Sequence, residues 1–399
     1  MLDILLMSLL GIIAGIVAGI IPGIHSNLLA TASLSVYAAI NPSYISPLSL
    51  CAFIYTLSLV NNFLSFIPST YLGVPDSGTV LSLMPAHQYL KEGKGHEAVI
   101  LSLIGAYGSM IASIITLPIF IFLVKISYSF IKKQVPILLI LIALTLILRE
   151  KSKFLAFYTF LCAGILGIIT LNLQRLNEPL LPLLTGLFGM PALISSISAK
   201  ESLSQQVITF PEIKPKEISK SISVSLISGS IFSFLPSLGP SQAAVFSSLI
   251  TKDSSRQSYL MLIGALNTMS MIISIATFYL INKARNGAIV AISTILPAID
   301  LNLLLFFLAI TLIVGYPTLH VTLFLSRKFS YFISKANYQL ISIIVMVLIT
   351  VISLIISGPL SLLILFTATA IGFIPQITNV SRNHLMGCLM LSTIMYYLL

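Results

Sequence analysis

The sequence predicts an all-α, polytopic integral membrane protein with about ten to twelve transmembrane segments and a two-fold internal repeat of paired broken or re-entrant helices. Composition is the first reason. Of 399 residues, 57% are hydrophobic and 8% charged, mean hydropathy is +1.06, and charge-free runs such as Leu340 to Ile356 recur. No soluble core needs that much apolar surface. The second reason is a pair of interruptions, Gly15 to Ala30 (GIVAGIIPGIHSNLLA) and Gly229 to Val245 (GSIFSFLPSLGPSQAAV), inside membrane-length apolar runs. Pro22 and Pro236 align at an offset of 214, which also pairs Gly15 with Gly229, Ile24 with Leu238, Ser26 with Pro240 and Asn27 with Ser241. Proline removes helix hydrogen bonds where no water replaces them, so the freed backbone must face protein, a cavity or a ligand.

In the first half, spans are expected over Leu2 to Ile40 broken at Pro22, Leu48 to Leu72, Ala98 to Val124, Pro136 to Leu148, Phe154 to Leu171 and Pro179 to Ile197. Second-half spans are Ile222 to Ile250 broken at Pro236, Tyr259 to Ile281, Ala288 to Leu325 broken at Pro297, Leu340 to Ile356, Leu360 to Ile374 and Leu385 to Leu399. The pieces after Pro22 and Pro236 are each shorter than the roughly twenty residues a crossing needs, so re-entrant hairpins are expected. Asp3, and the lack of a basic leader or cleavage pattern, make the first segment a retained helix. Residues 1–199 form the first membrane repeat, 200–220 a cytoplasmic linker and 221–399 the second repeat. Gly105 and Gly264 open helices in the two halves, and Pro375 in GFIPQITN offers a weaker third break.

Net charge is +10, yet the bases sit in short loops, where the positive-inside rule explains them without nucleic acid. Counting spans puts Lys91, Lys94, Arg149, Lys151, Lys153, Lys200, Lys214, Lys216, Lys220, Lys252, Arg256, Arg327, Lys328 and Lys335 on the cytoplasmic side, fourteen of 21 basic residues. Lys125, Lys132, Lys133, Arg175, Lys283, Arg285 and Arg382 fall on or near the other. Cys51, Cys162 and Cys388 lie in apolar segments at no ligand spacing and read as small core residues.

A half-helix starting after Pro22-Gly23 or Pro236-Ser237 presents unpaired N–H groups and a positive dipole end, which favour an anion. Ser26, Asn27, Ser241 and Gln242 can cap those ends or donate to the ligand, with Gly239 beside them. Carbonyls freed at 19–21 and 233–235 can coordinate Na+. His25 suits a proton or an anion partner, or a helix cap. Asn61, Asn62 and Asn267 are amides in apolar segments and must find partners within the bundle, a substrate or an ion among them. Asp300 is a coupling carboxylate or an interfacial helix cap, and His320 reads as interfacial and structural. LGVPDSGTVLSLMPAHQYLKEGKGHEAV reads as a polar linker with an amphipathic piece on the cytoplasmic face, and its His87, His96 and Glu97 as a solvated loop.

GIIPGIHSN, FIPSTYLGVPDSGTVLSLMPAHQYLKEGKGHEAV, LLTGLFGMPALISS, FLPSLGPSQAAV and IGALNTMSMIISIATFYLINKARNGAIVAI follow one another over about residues 11 to 295. In that order they resemble the large permease subunit of tripartite tricarboxylate transporters, in particular its archaeal branch. The resemblance implies a permease, carboxylate anions as the substrate class, a cation gradient (Na+ or H+) as the drive, and a binding protein and a small membrane subunit as partners. No other cofactor or metal is expected. Two departures fall where a ligand sits: Val60, Asn61, Asn62 and Phe63 replace a glycine-rich segment, and His25 replaces a small residue. The eleven acids are scattered through loops and form no catalytic constellation, so an enzyme is not expected. The alternative of a different class is a flippase for a polyprenyl-phosphate lipid, whose headgroup the same half-helices would attract.

Overall fold

Chain segments with this much apolar surface satisfy their backbone internally, and in the computed structural model they do so as helices. The structure describes residues 2–22, 26–39, 45–76, 78–198, 204–233, 239–251 and 255–398, leaving aside the side chains of 26, 27, 38, 39 and 127–133. It is 85% helical, with no strand among the described residues. Nine helices there are long and apolar enough to cross a bilayer, and two shorter apolar ones span Leu28–Tyr37 and Gln134–Arg149.

Helix α1 (Leu2–Ile20) stops at Pro22 and α2 (Ser26–Ala39) follows. Next, α3 (Pro47–Leu64) starts from the Ser46 cap and continues, past a break at Ser65, into α4 (Phe66–Tyr71). Gly11, Gly15 and Gly19 set α1 directly on α3, where added methyl groups would meet the Phe53 carbonyl, Val60 and Leu64 in turn. Rising residue numbers on both helices make the pair parallel.

A short loop leads to a 3-10 turn (Val80–Ser82) and α5 (Leu83–Lys91), which lies across one end of the bundle. Helix α6 is assigned without interruption over Gly95–Arg149. Both of its ends, however, lie at the same end of the molecule. At one end the Gly95 N–H donates to Gln206 and Ala98 packs with Leu260; at the other Glu150 accepts the Ser381 N–H, and Ser381 lines one cavity with Tyr259, three residues from the start of the helix Arg256–Ile281 that also carries Leu260. The chain therefore reverses within Gly95–Arg149, which restores the two expected segments.

Helix α7 (Lys153–Asn172) precedes a span assembled from α8 (Leu180–Leu184), a π turn (Thr185–Gly189) and α9 (Met190–Ser198). After the linker come α10 (Pro215–Ser233), α11 (Pro240–Ile250), and α12 (Arg256–Ile281), capped by Ser255 and ended by left-handed Asn282. Helix α13 (Gly287–Ile295) is short, α14 (Leu301–Lys335) follows the expected break at Pro297, and α15 (Tyr338–Ser357) and α16 (Leu360–Thr378) form a hairpin at Gly358. A 3-10 turn (Arg382–Met386) and α17 (Gly387–Leu398) close the described chain. Cys51 and Cys388 are core residues and Cys162 is half-buried.

Four expectations change. Gly105 and Gly264 do not open helices; they lie about three turns into α6 and about two turns into α12, each against the backbone of the other helix. Because Ala98 and Leu101 meet Leu260 and Met261 in one cluster, α6 and α12 run parallel. Pro375 is no break, since α16 continues through it. His87, His96 and Glu97 are buried rather than solvated: Thr209 donates to the Glu97 carboxylate, His96 Nδ1 lies 2.9 Å from Ser326 Oγ, and His87 packs against Tyr338. Arg382 joins the basic end, because the neighbouring Ser381 N–H donates to Glu150 Oε1 at 2.6 Å, beside Arg149.

Candidate functional site

The two interrupted helices enter from opposite ends. Helix α3 runs toward the basic end, where Tyr71 donates to the Ser326 carbonyl near the close of α14, so its parallel neighbour α1 approaches from the far end. Helix α12 leaves the basic end, and α10 runs with it: Ser221 donates to the Ser258 carbonyl, Ser225 to Leu262, and Gly229 abuts Leu266 and Met269. After the second break α11 turns back along α10, as Ser228 Oγ lies 2.6 Å from Ser247 Oγ and Phe232 stacks on Phe246. The half-helices start at Ser26 and at Pro240, again 214 residues apart.

Asn61, Asn62 and Asn267 gather between these hairpins. The Asn267 Nδ2 group donates to the Asn62 carbonyl at 3.1 Å, tying α12 to the α3–α4 break. Asn267 presses its amide oxygen against Gly78, so closely that a Cβ there would overlap it. The loop between Gly73 and Thr79 is thus an inward break packed in the bundle, not a surface linker, and α5 after it is largely buried too. Its Asp76 N–H donates to Thr79 Oγ1 at 2.9 Å, and the Thr79 N–H returns to the Asp76 carbonyl at 3.0 Å.

A cavity of about 20 Å³ lies beside Pro22, lined by Ala18, Gly19, Asn61, Ser65, Pro75 and Asp76 among others. That volume holds one water or a bare ion, not a carboxylate. Two of its oxygens, the Ala18 carbonyl and Asn61 Oδ1, bear on what it could hold. Ala18 would accept a helical bond from the N–H of residue 22, but residue 22 is Pro22. Asn61 Oδ1 is buried with no hydrogen-bond partner.

The other sequence candidates divide. Gln242 acts as a cap, accepting the Gly239 N–H at 3.0 Å, and Ser241 is buried in the first turn of α11. Asp300 is an exposed cap of α14, with Oδ1 accepting the Leu303 N–H at 2.8 Å. His320 is exposed and stacks edge-on with Tyr316, in keeping with a structural part. Gly23, His25, Ser237 and Pro236 lie outside the described residues, as do the side chains of Ser26 and Asn27.

The model of the tripartite tricarboxylate transporter TctA family matches residues 5–387. The chain belongs to this family. An uncharacterised protein of Methanocaldococcus jannaschii is 28% identical over 403 residues, covering 99% of each chain. No solved structure matches it. As a TctA-family member with these apolar helices, the chain is a multi-pass membrane protein of a transporter family.

Ser65, Asp76 and Gly78 are the candidate-site residues that sequence reasoning missed in this family member. The signal was present in FIPSTYLGVPDSGTV: two prolines, two glycines and an acid directly after a span ending in Asn61 and Asn62. Polarity alone led to a surface linker, whereas a loop of this composition also suits a helix break that lines a cavity.

Proposed function

We propose that the chain is the secondary-active permease for a small organic anion of the di- or tricarboxylate class, driven by a Na+ gradient, with the anion held near the midplane between the two Pro-broken helices. The observation that carries this is the meeting of two oppositely directed hairpins at the Asn62–Asn267 hydrogen bond. On this reading residues 1–199 and 221–399 are inverted repeats about a pseudo-two-fold axis in the membrane plane, joined by the linker 200–220. Gly105 and Gly264 are then neighbours rather than equivalents, since equivalent helices in an inverted pair cannot run parallel. Half-helix N-termini at Ser26 and Pro240 supply positive dipole ends for the carboxylates. The basic end faces the cytoplasm. Translocation, not catalysis, is the activity, and a binding protein and a small membrane subunit complete the transporter.

Placing a carboxylate at these N-termini tests the anion site. Asn27→Asp and Ser241→Asp are expected to reduce citrate or succinate uptake in proteoliposomes more than the corresponding alanine variants, which should weaken affinity by roughly 1–3 kcal/mol. Wild-type affinity in both aspartate variants would make the breaks merely structural.

The cavity beside Pro22 is the proposed Na+ site, with the Ala18 carbonyl, Asn61 Oδ1, Ser65 and Asp76 as oxygen donors. Na+ alone, without substrate, is expected to raise the unfolding temperature relative to choline, by up to about 2.7 kcal/mol of stabilisation at a hundredfold excess over the dissociation constant. Asn61→Leu should abolish that increment whatever its effect on baseline stability. An increment unchanged in Asn61→Leu would place the ion elsewhere, and no increment in the wild type would return H+ as the drive.

A further inference from the structure

We propose a second anion site at the basic end: the cavity between the last turn of α16, the π turn and the start of α5 binds a carboxylate or phosphate oxyanion through Arg382 and Gln376. This cavity has a volume of about 590 Å³, room for a small organic acid. Phe188, Tyr259, Gln376, Asn379, Arg382 and Asn383 supply the walls the argument uses.

Its donors are built in and unspent. Gln376 Oε1 accepts from Ser195 Oγ at 2.5 Å, which fixes the amide and leaves Nε2 buried without a partner. Arg382 Nη1 is also buried with no hydrogen-bond partner. The left-handed residue Asn379 ends α16, and the bond from the Ser381 N–H to Glu150 then holds the turn that carries Arg382 over the cavity. Burial lowers the Arg382 pKa to about 10, so the group stays charged at neutral pH. A half-buried guanidinium with a buried, unpaired Nη1 is costly, and its planar fork fits an oxyanion well.

Position supplies the use. Val80 and Leu81 line this cavity while Val74 to Asp76 line the one beside Pro22, and the stretch from Asp76 to Val80 can span at most about 14 Å. An anion passing between the break and the basic end therefore meets Arg382 on its way. Only the source of the anion rests on the permease reading; the site itself stands on the cavity and its unpaired donors.

The test uses the full chain in nanodiscs, with citrate, succinate and inorganic phosphate as probes and with or without phosphatidylglycerol in the lipid. At least one probe is expected to raise the unfolding temperature of the wild type. Arg382→Gln should weaken that response about ten- to a hundredfold in probe concentration. Gln376→Glu places a carboxylate opposite Arg382 and keeps the guanidinium; it should fold with a higher baseline stability and lose the response. A response confined to nanodiscs lacking phosphatidylglycerol assigns the same site to a lipid headgroup. Equal responses in all variants, or none in wild type with any probe, overturn the proposal. An Arg382-dependent phosphate response without citrate or succinate uptake would refute the permease reading for those acids and leave this site standing.

Discussion

Gly264→Leu and Gly105→Leu are each expected to abolish the folded protein. A Cβ at Gly105 would fall on the backbone of Met261, and one at Gly264 on the backbone of Ser102, so the two helices meet reciprocally with main chain against main chain. Lipid supplies little force to press helices together, and close approach across small residues is what gains them packing. A flexible side chain can rotate away from an intruding methyl; a carbonyl in the middle of a helix cannot. Overpacking a core typically costs about 1–3 kcal/mol, and with backbone on the receiving side at least the upper figure, roughly 3 kcal/mol, is expected here. Gly239→Ala is the stability control, because its nearest neighbour would be Gln242 Oε1 at 3.5 Å, ordinary contact. Size-exclusion profiles and thermal unfolding in detergent decide it. A monodisperse Gly264→Leu protein of wild-type stability would mean that α6 and α12 are free to separate.

What could be read from the sequence follows the strength of each physical constraint. Helices and their approximate spans were legible because lipid leaves the backbone few alternatives, and the interruptions at Pro22 and Pro297 were legible because proline removes a donor whatever surrounds it. Helix direction was not legible. Gly105 and Gly264 share a local pattern, IGAYGS and IGALNT, which looks like a repeat; only the chain's path shows two parallel neighbours using glycine for the same close approach. Burial of polar residues was also hidden. His96 and Glu97 look solvated in a segment rich in lysine, but both are buried, with partners from Ser326 and Thr209, distant in sequence. Arg382 was assigned to the wrong end because span counting accumulates one error per misread break, and the Ser381–Glu150 hydrogen bond corrects it directly. At the candidate site, Asn61, Asn62 and Asn267 stood out as amides in apolar runs. Asp76 did not, because it lies in a loop whose inward course depends on packing against Asn267 and the α1 break.

Asn267→Asp is expected to abolish uptake, and Asn267→Ala to lower it about ten- to a hundredfold at limiting substrate. Asn267 is the described side chain that joins the second half to the break in α3, with Nδ2 on the Asn62 carbonyl and its amide oxygen against Gly78. Alanine leaves a buried carbonyl without that donor, at a cost of roughly 1–3 kcal/mol. Aspartate is worse on two counts: it sets an acceptor against an acceptor, and it brings a negative charge to the place proposed for an anion. Gly78→Ala should act on the same contact from the other side by displacing the amide. Because the two residues touch, their effects are expected to be non-additive, with the double variant Gly78→Ala/Asn267→Ala little worse than the worse single one. Uptake in proteoliposomes, together with the Na+-dependent rise in unfolding temperature, separates the possibilities. If Asn267 links ion and anion, Asn267→Ala lowers uptake and reduces the Na+ increment as well, since the α3 break carrying Asn61 loses its anchor. Full uptake by Asn267→Asp would show that the anion passes elsewhere and that the Asn62–Asn267 bond is only a staple between the two halves.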